Sequence, residues 1–418
     1  MQTIKRKATP TILKNKNFQT IMIKVLFPYE EKQKDLANIE LLPRMLNYMN
    51  NCYKTEEEFQ IAKKQNYILG ISCTNSIIGT TGCFTFNLII PDTKTLRKNI
   101  LEDQFKFFHE MIYNPLIIKN GFSPFELERE KKNLQIGIES TMKNMRSYQN
   151  LRLKEIIDDQ GVLSRNLIRN QNLIKKVTPE NLYQYYQKTI KENQPTIYIM
   201  GNVNEEEMIN LCNKYIYQKR WKDKTLKGNL NYFLKPKNEV TRIEENEAFK
   251  DSSLSIVYKI KDYQKEDTIY LNIIKDLLTS LSSRLLSEEL RNQKDLVYST
   301  KVTAYPHYAC FEITAYINKK SKYEVEKTIL DVIQKLKNSN EITPLLENLK
   351  ERKRQNLLRK LDDKYLILED FILKDLEIDI TLEEYYEQYK KVTPKDISLF
   401  IDRFILDTIY FLEEDSHE

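Results

Sequence analysis

The sequence predicts an α+β fold built from two similar domains, and three observations carry that expectation. First, Lys175-Lys176-Val177-Thr178-Pro179 recurs as Lys390-Lys391-Val392-Thr393-Pro394. Each copy leads through a helical stretch to a short strand, Ile197-Tyr198-Ile199 in one case and Ile409-Tyr410-Phe411 in the other. Thr-Pro is a strong helix start, with Thr as the cap and Pro at the first helical position, and a shared start followed by matched strands points to duplication. Second, each half mixes β-branched and aromatic runs with amphipathic helical stretches, the pattern of sheets flanked by helices. Third, the polar, lysine-rich stretch 218–238 carries Gly228 and Pro236 and reads as a linker. The expected domains are therefore 1–217 and 239–418, each an antiparallel sheet with helices on its faces.

In order, residues 18–27 read as a strand, and helices follow near 35–50 and 55–65. Two strands fall within 67–90. A helix is expected over 93–114, a long charged helix, broken once, over 124–159, and another helix over 177–189 before the strand at 196–200. The second half runs similarly: a strand at 254–260, a helix at 267–278, a helix–turn–strand unit at 281–305 and a strand at 309–316. Helices then follow over 323–336, 342–360, 365–376 and 382–389.

Composition narrows the function. Net charge is +6, from 66 basic and 60 acidic residues, too balanced to argue for nucleic acid. No apolar run approaches the roughly 18 residues of a membrane-spanning helix, and the basic N-terminal stretch has no apolar segment of signal-peptide length. The five cysteines are scattered, with no CxxC pair. A disulfide framework and a zinc knuckle are therefore not expected, and a cytoplasmic, reduced location is. Eight glycines leave no GxGxxG, no Walker-type loop and no GxSxG. Gly79-Thr80-Thr81-Gly82 reads as a turn or bulge.

The unit at 281–305 holds the first candidate site residues. Leu281, Leu285, Leu286 and Leu290 repeat at helical spacing, and Leu296, Tyr298, Thr300, Val302 and Ala304 fall on one face of a strand. Arg291 thus ends a helix and Tyr298 begins the next strand. A guanidinium and a phenol held at one turn are donors suited to peptide carbonyls or to an oxyanion.

This duplicated chain, with ELRNQKDLVYS in its second half and KKVTP closing each half, resembles the pitrilysin-like metallopeptidases, the inverted zincins. The resemblance identifies Arg291 and Tyr298 with that family's substrate-binding arginine and tyrosine. It places NIELLPRMLNYM where the family's metal helix lies. That helix carries His-x-x-Glu-His, two zinc ligands and a general base. Here the matching positions read Glu40-Leu41-Leu42-Pro43-Arg44. The family's third ligand is a glutamate seven residues after another, and counted from Glu130 that position is Gly137. Glu139 lies about 200° further round the helix. The three histidines, His109, His307 and His417, are far apart. Glu40, Pro43, Arg44 and Gly137 therefore mark a degenerate metal site, with no zinc or other cofactor expected in this chain. Spacing suggests an ion pair between Glu40 and Arg44, and Pro43 should kink the helix. Leu36, Ile39, Leu42, Met45, Leu46 and Met49 should dock it.

Family members of this size often work as two-chain clamshells, one chain supplying zinc and the other the arginine and tyrosine. The resemblance implies a non-catalytic subunit that binds short or unfolded peptides beside a partner bearing HxxEH, the only chain expected to hold zinc. A strand edge at 80–89 is expected to receive an extended peptide. The alternative is a peptide-binding or scaffold module for maturation of a ribosomally made, modified peptide, with no part in hydrolysis.

Overall fold

The computed structural model describes residues 2–4, 9–78, 81–92, 100–159, 161–217, 226–228, 231–279, 285–292, 296–376 and 378–414, and of residues 2–4, 78, 226–228, 287, 291 and 292 only the backbone. The chain divides into two compact units. The first comprises residues 1–141 and 166–230, the second 142–165 and 231–418. The division after residue 230 falls inside the stretch expected to be a linker. Residues 142–165, however, pack with the second unit, which two sequence-continuous halves did not anticipate.

The first unit holds a five-stranded sheet of β1 (Thr11–Lys14), β2 (Thr20–Glu30), β3 (Gly70–Ile78), β4 (Thr81–Pro91) and β5 (Thr196–Gly201), in the order β1-β5-β2-β4-β3. The second holds β6 (Thr241–Glu247), β7 (Ser252–Ile260), β8 (Val297–Tyr305), β9 (Cys310–Ile317) and β10 (Phe404–Glu414), in the order β6-β10-β7-β9-β8. The two orders are the same pattern, so the duplication read from KKVTP extends to topology. Each sheet is antiparallel except for one edge pair. β1 runs parallel to β5 (Thr11 opposite Tyr198), and β6 runs parallel to β10 (Thr241 opposite Thr408).

Both KKVTP segments start helices through the same device. Thr178 and Asn181 cap each other's backbone at the start of the helix Pro179–Tyr186, and Thr393 and Asp396 do so at the start of the helix Pro394–Ile401, each with proline next in line. In order, the principal helices of the first unit are α1 (Leu36–Leu46), α2 (Glu56–Gln65), α3 (Leu101–Tyr113), α4 (Pro124–Lys143, which runs just into the second unit), α6 (Pro179–Tyr186) and α7 (Glu205–Tyr215). Asn144 caps α5 (Met145–Ile157) and supplies the expected break in the long helical stretch.

The second unit's sheet is covered on both faces. One face carries α8 (Thr268–Thr279), α9 (Lys322–Lys335), α10 (Ser339–Lys360), α12 (Leu382–Lys391) and α13 (Pro394–Ile401), packed on Leu254, Ile256, Ile313 and Ile409. The helix α11 (Lys364–Asp375) follows α10 after a short turn. The other face takes α5, whose Tyr148, Leu153, Ile156 and Ile157 pack on Val257, Tyr410 and Leu412. All nine residues of β7 are buried as a result, the polar Ser252, Ser253, Ser255 and Lys259 among them, as expected for a strand covered on both faces.

Polar contacts fix α5 in place. Arg152 bridges to Glu245, which also accepts from the Tyr410 hydroxyl at 2.9 Å. Lys259 donates to the Ile157 carbonyl at 3.0 Å and Lys237 to that of Ile156 at 3.3 Å, two cations on the last carbonyls of a helix. Lys259 also lies 3.3 Å from Asp407, with both side chains almost wholly buried.

Candidate functional site

The helix α1 is docked by the stripe expected for it. Leu36, Ile39, Leu42, Met45 and Leu46 are buried, while Met49 lies beyond the helix end and is only half-buried. The helix runs on past Pro43 for three residues. Its end is tied to the sheet by Asn47, whose amide donates to the Cys73 carbonyl at 3.1 Å and accepts from the Cys73 N–H at 2.6 Å. One side chain thus takes both main-chain groups of Cys73 on β3, an edge strand, much as a neighbouring strand would.

That dock presents Glu40 and Arg44. Glu40 stands at the surface; partial desolvation of its carboxyl by the surrounding protein raises the pKa, and the nearby Arg44 charge pulls it back down. The ion-pair contact of Arg44 does not go to Glu40, as the spacing suggested. Its guanidinium lies 3.9 Å from the carboxylate of Glu130 on α4. The reason is burial: Glu130 is 9% exposed and draws donors from several directions. Arg129 and Asn133 each donate to its other oxygen at 3.3 Å. Gly137, two turns further along α4, is exposed and brings no side chain, and no atom lies within 4 Å of where a Cβ would stand.

These residues do not fit a zinc ion. A cation's place beside a carboxylate is taken by a guanidinium, that carboxylate already accepts two hydrogen bonds, and the third position supplies no ligand. Among the described residues no group of three or more His, Cys, Asp or Glu is placed to hold a metal. His109 is spent on the Tyr215 carbonyl at 2.6 Å, and His307 lies 3.3 Å from Asn231 Oδ1. His417 lies outside the described residues.

The strand expected to line a chamber, 80–89, corresponds to β4. It sits between β2 and β3 with both sides hydrogen-bonded, so it has no edge to offer a peptide; Thr80 lies outside the described residues. Gly82 is not a turn residue either. It stands within β4 opposite Tyr29, whose ring comes within 2.1 Å of where its Cβ would be, so glycine makes room for a ring that stacks on Phe84 at 4.6 Å. The buried Tyr29 hydroxyl donates to Asn75, and burial pushes its pKa far up.

In the second unit the candidate pair lies at the outer edge. Leu286 and Leu290 are fully buried as the leucine spacing foretold, and the Leu296 N–H donates to the Leu290 carbonyl at 2.8 Å. This bond brings the end of the short helix beside the start of β8, with Arg291 next after Leu290 and Tyr298 two residues past Leu296. The Arg291 side chain lies outside what the structure describes. Tyr298 falls at a bulge in the edge strand β8, where the pairing steps from Val297–Ile317 to Ser299–Tyr316. The extra residue breaks the expected alternation. Val297 and Val302 face the core, and Tyr298 is turned out, 57% exposed. Sequence reasoning missed Arg146, at the start of α5. It stacks 4.6 Å over the Tyr316 ring and donates to Ser299, next to Tyr298, at 3.2 Å. No local signal marks it, since only the folding of 142–165 onto this sheet brings it here.

Comparison with known proteins follows the same lines. Residues 176–351 match the family profile described as Peptidase M16 inactive domain. A protein of Bacillus subtilis (strain 168) described as "Probable inactive metalloprotease YmfF" is 23% identical over 412 residues, covering 97% of this chain and 95% of the relative.

The chain is similar to the M16, or pitrilysin-like, peptidases, and among them to proteins described as inactive.

Solved structures agree on the M16 fold. A conserved protein from Enterococcus faecalis V583 superimposes with a TM-score of 0.86 at 21% identity, covering 97% of this chain and 96% of that one. The peptidase M16 inactive domain from Pseudomonas fluorescens gives 0.74 at 15% identity, covering 99% and 98%. No helix of the described residues is long and apolar enough to cross a membrane.

Proposed function

We propose that this M16 homologue is the non-catalytic, substrate-binding subunit of a two-chain zinc peptidase acting on short or unfolded peptides. The observation that carries the reading is the contact of Arg44 with Glu130, which puts a fixed positive charge where the family's helix would need a zinc ligand. Tyr298 supports it, as a phenol turned outward at the bulge of an edge strand. In this reading Arg291 and Tyr298 donate to carbonyls of the bound peptide, or to the oxyanion that forms at the partner's zinc. Donors aimed at developing charge lower the barrier by roughly 3–4 kcal/mol each in well-formed sites. Arg146 adds a guanidinium at the same strand. This chain contributes no metal and no general base, and the partner contributes both.

The experiment is reconstitution with an M16 chain that bears HxxEH, encoded beside or co-purified with this one. The expected result is that the two chains elute together and that neither alone cleaves an unfolded peptide at the rate of the pair. A partner that is fully active alone would overturn the proposal. So would a chain that binds peptide yet leaves the partner's turnover unchanged, the behaviour of a leader-handling scaffold.

A further inference from the structure

The second unit contains a recess that the peptidase reading does not use. It lies among α10, α11 and α12 and encloses about 300 Å³. Three cations line it, Lys353, Arg359 and Lys360, against one carboxylate, Asp363. That carboxylate is committed elsewhere, since it caps α11 by accepting from the N–H groups of Tyr365 and Leu366. Lys353 is held over the Tyr385 and Tyr389 rings at 5.0 Å and 3.3 Å from Asp276. Arg359 contacts Asn356, and neither it nor Lys360 has an ion-pair partner among the described residues. The remaining wall is apolar and aromatic, with Leu357, Leu366 and Tyr386 among its residues.

Two further facts point to a ligand. Residues 350–360 carry six bases, Lys350, Arg352, Lys353, Arg354, Arg359 and Lys360, against the single acid Glu351, a net charge of +5 (6 − 1). Bases in the last turn offset the helix dipole, but that accounts for neither the hollow nor its apolar wall. Of the apolar lining, Leu366 is 38% exposed. An apolar and aromatic wall beside cations without ion-pair partners among the described residues marks an interaction surface rather than a solvated face.

We propose that this recess binds an acidic peptide segment that carries an apolar side chain. The apolar side chain would enter the hollow, and the flanking carboxylates would meet Arg359 and Lys360. A concave hollow of this size suits a side chain better than it suits a flat lipid surface. The inference does not rest on the peptidase-subunit reading.

The test is fluorescence anisotropy with a dye-labelled peptide of Asp and Glu around a central Phe. Controls are the same peptide with Lys for each acid, inorganic phosphate as competitor, and phosphatidylserine vesicles in place of the peptide. The acidic peptide should bind the full chain at least tenfold more tightly than the basic one, and the affinity should fall with salt. The exposed double variant R359E/K360E should weaken it at least tenfold with an unchanged circular dichroism spectrum, and K63E/K64E on α2 should leave it unchanged. Equal binding of both peptides, full displacement by millimolar phosphate, binding of vesicles but not peptide, or an unaffected R359E/K360E variant would each overturn the proposal.

Discussion

The Arg44 guanidinium on α1 lies 3.9 Å from the Glu130 carboxylate on α4. These two helices are where the M16 resemblance places the metal ligands, so the contact links them through charge where a working peptidase would link them through zinc. Arg44 is about two-fifths exposed and the separation is long, so the pair itself is worth at most about 1 kcal/mol. The role proposed for it is to exclude a second cation. The purified chain should bind well under one zinc per chain by elemental analysis, and Arg44→Ala should lower the midpoint of thermal unfolding by only a few degrees.

The same register can be tested by rebuilding the site. The variant E40H/P43E/R44H/G137E restores the family's ligand pattern. Nothing lies within 4 Å of a Cβ at Gly137, and replacing Pro and Gly inside helices favours folding by about 3 and 1 kcal/mol. The variant should fold and take up close to one zinc per chain. A folded variant that takes up none would show that α1 and α4 are not in the assumed register.

The seating of α5 depends on buried charge. Lys259→Met should destabilise the chain by about 3–5 kcal/mol, because it leaves the Asp407 carboxylate buried without its cation. Arg152→Ala should cost about 1–3 kcal/mol through loss of the guanidinium that bridges to Glu245. Urea unfolding of the full chain measures both.

His307 gives a pH signature. Burial lowers its pKa below the usual 6.5, Asp379 pulls it back up, and Lys265 lowers it further. The unfolded state then holds more protons between the folded pKa and 6.5, so stability rises with pH across that window and levels off above it. Wild type should lose more stability than His307→Asn on going from pH 7.5 to pH 5.5. Equal losses would show that the imidazole titrates normally in the fold.

The sequence disclosed the elements that rest on periodicity or capping. The α1 stripe and both Thr-Pro helix starts were legible, and so was a break in the long helical stretch, though not its place at Asn144. Elements whose signal lies elsewhere in the chain were not. The strand β6, TRIEENE, alternates half-buried with exposed residues and forms because β10 lies beside it. The bulge at Tyr298 shifts one residue without altering local composition, so an even alternation hid the turn that exposes the phenol. The helix α7 went unread behind its run of glutamates, which are a good first turn after the Asn204 cap. At the candidate site, the spacing of Glu40 and Arg44 on one helix was readable, but the partner of Arg44 was not. Helical spacing favoured Glu40, and the outcome was set by the buried carboxylate of Glu130 on another helix.

Tyr298 carries the central claim, because it is exposed and its loss should not disturb the fold. The decisive measurement is kcat/KM for an unfolded peptide, using this chain paired with an HxxEH-bearing M16 chain. With Tyr298→Phe the value should fall about 10- to 100-fold, a loss of ~1.4–2.7 kcal/mol of transition-state stabilisation. Arg291→Ala should behave alike, with pairing and melting temperature unchanged. Wild-type turnover in both variants, with the pair intact, would contradict the account.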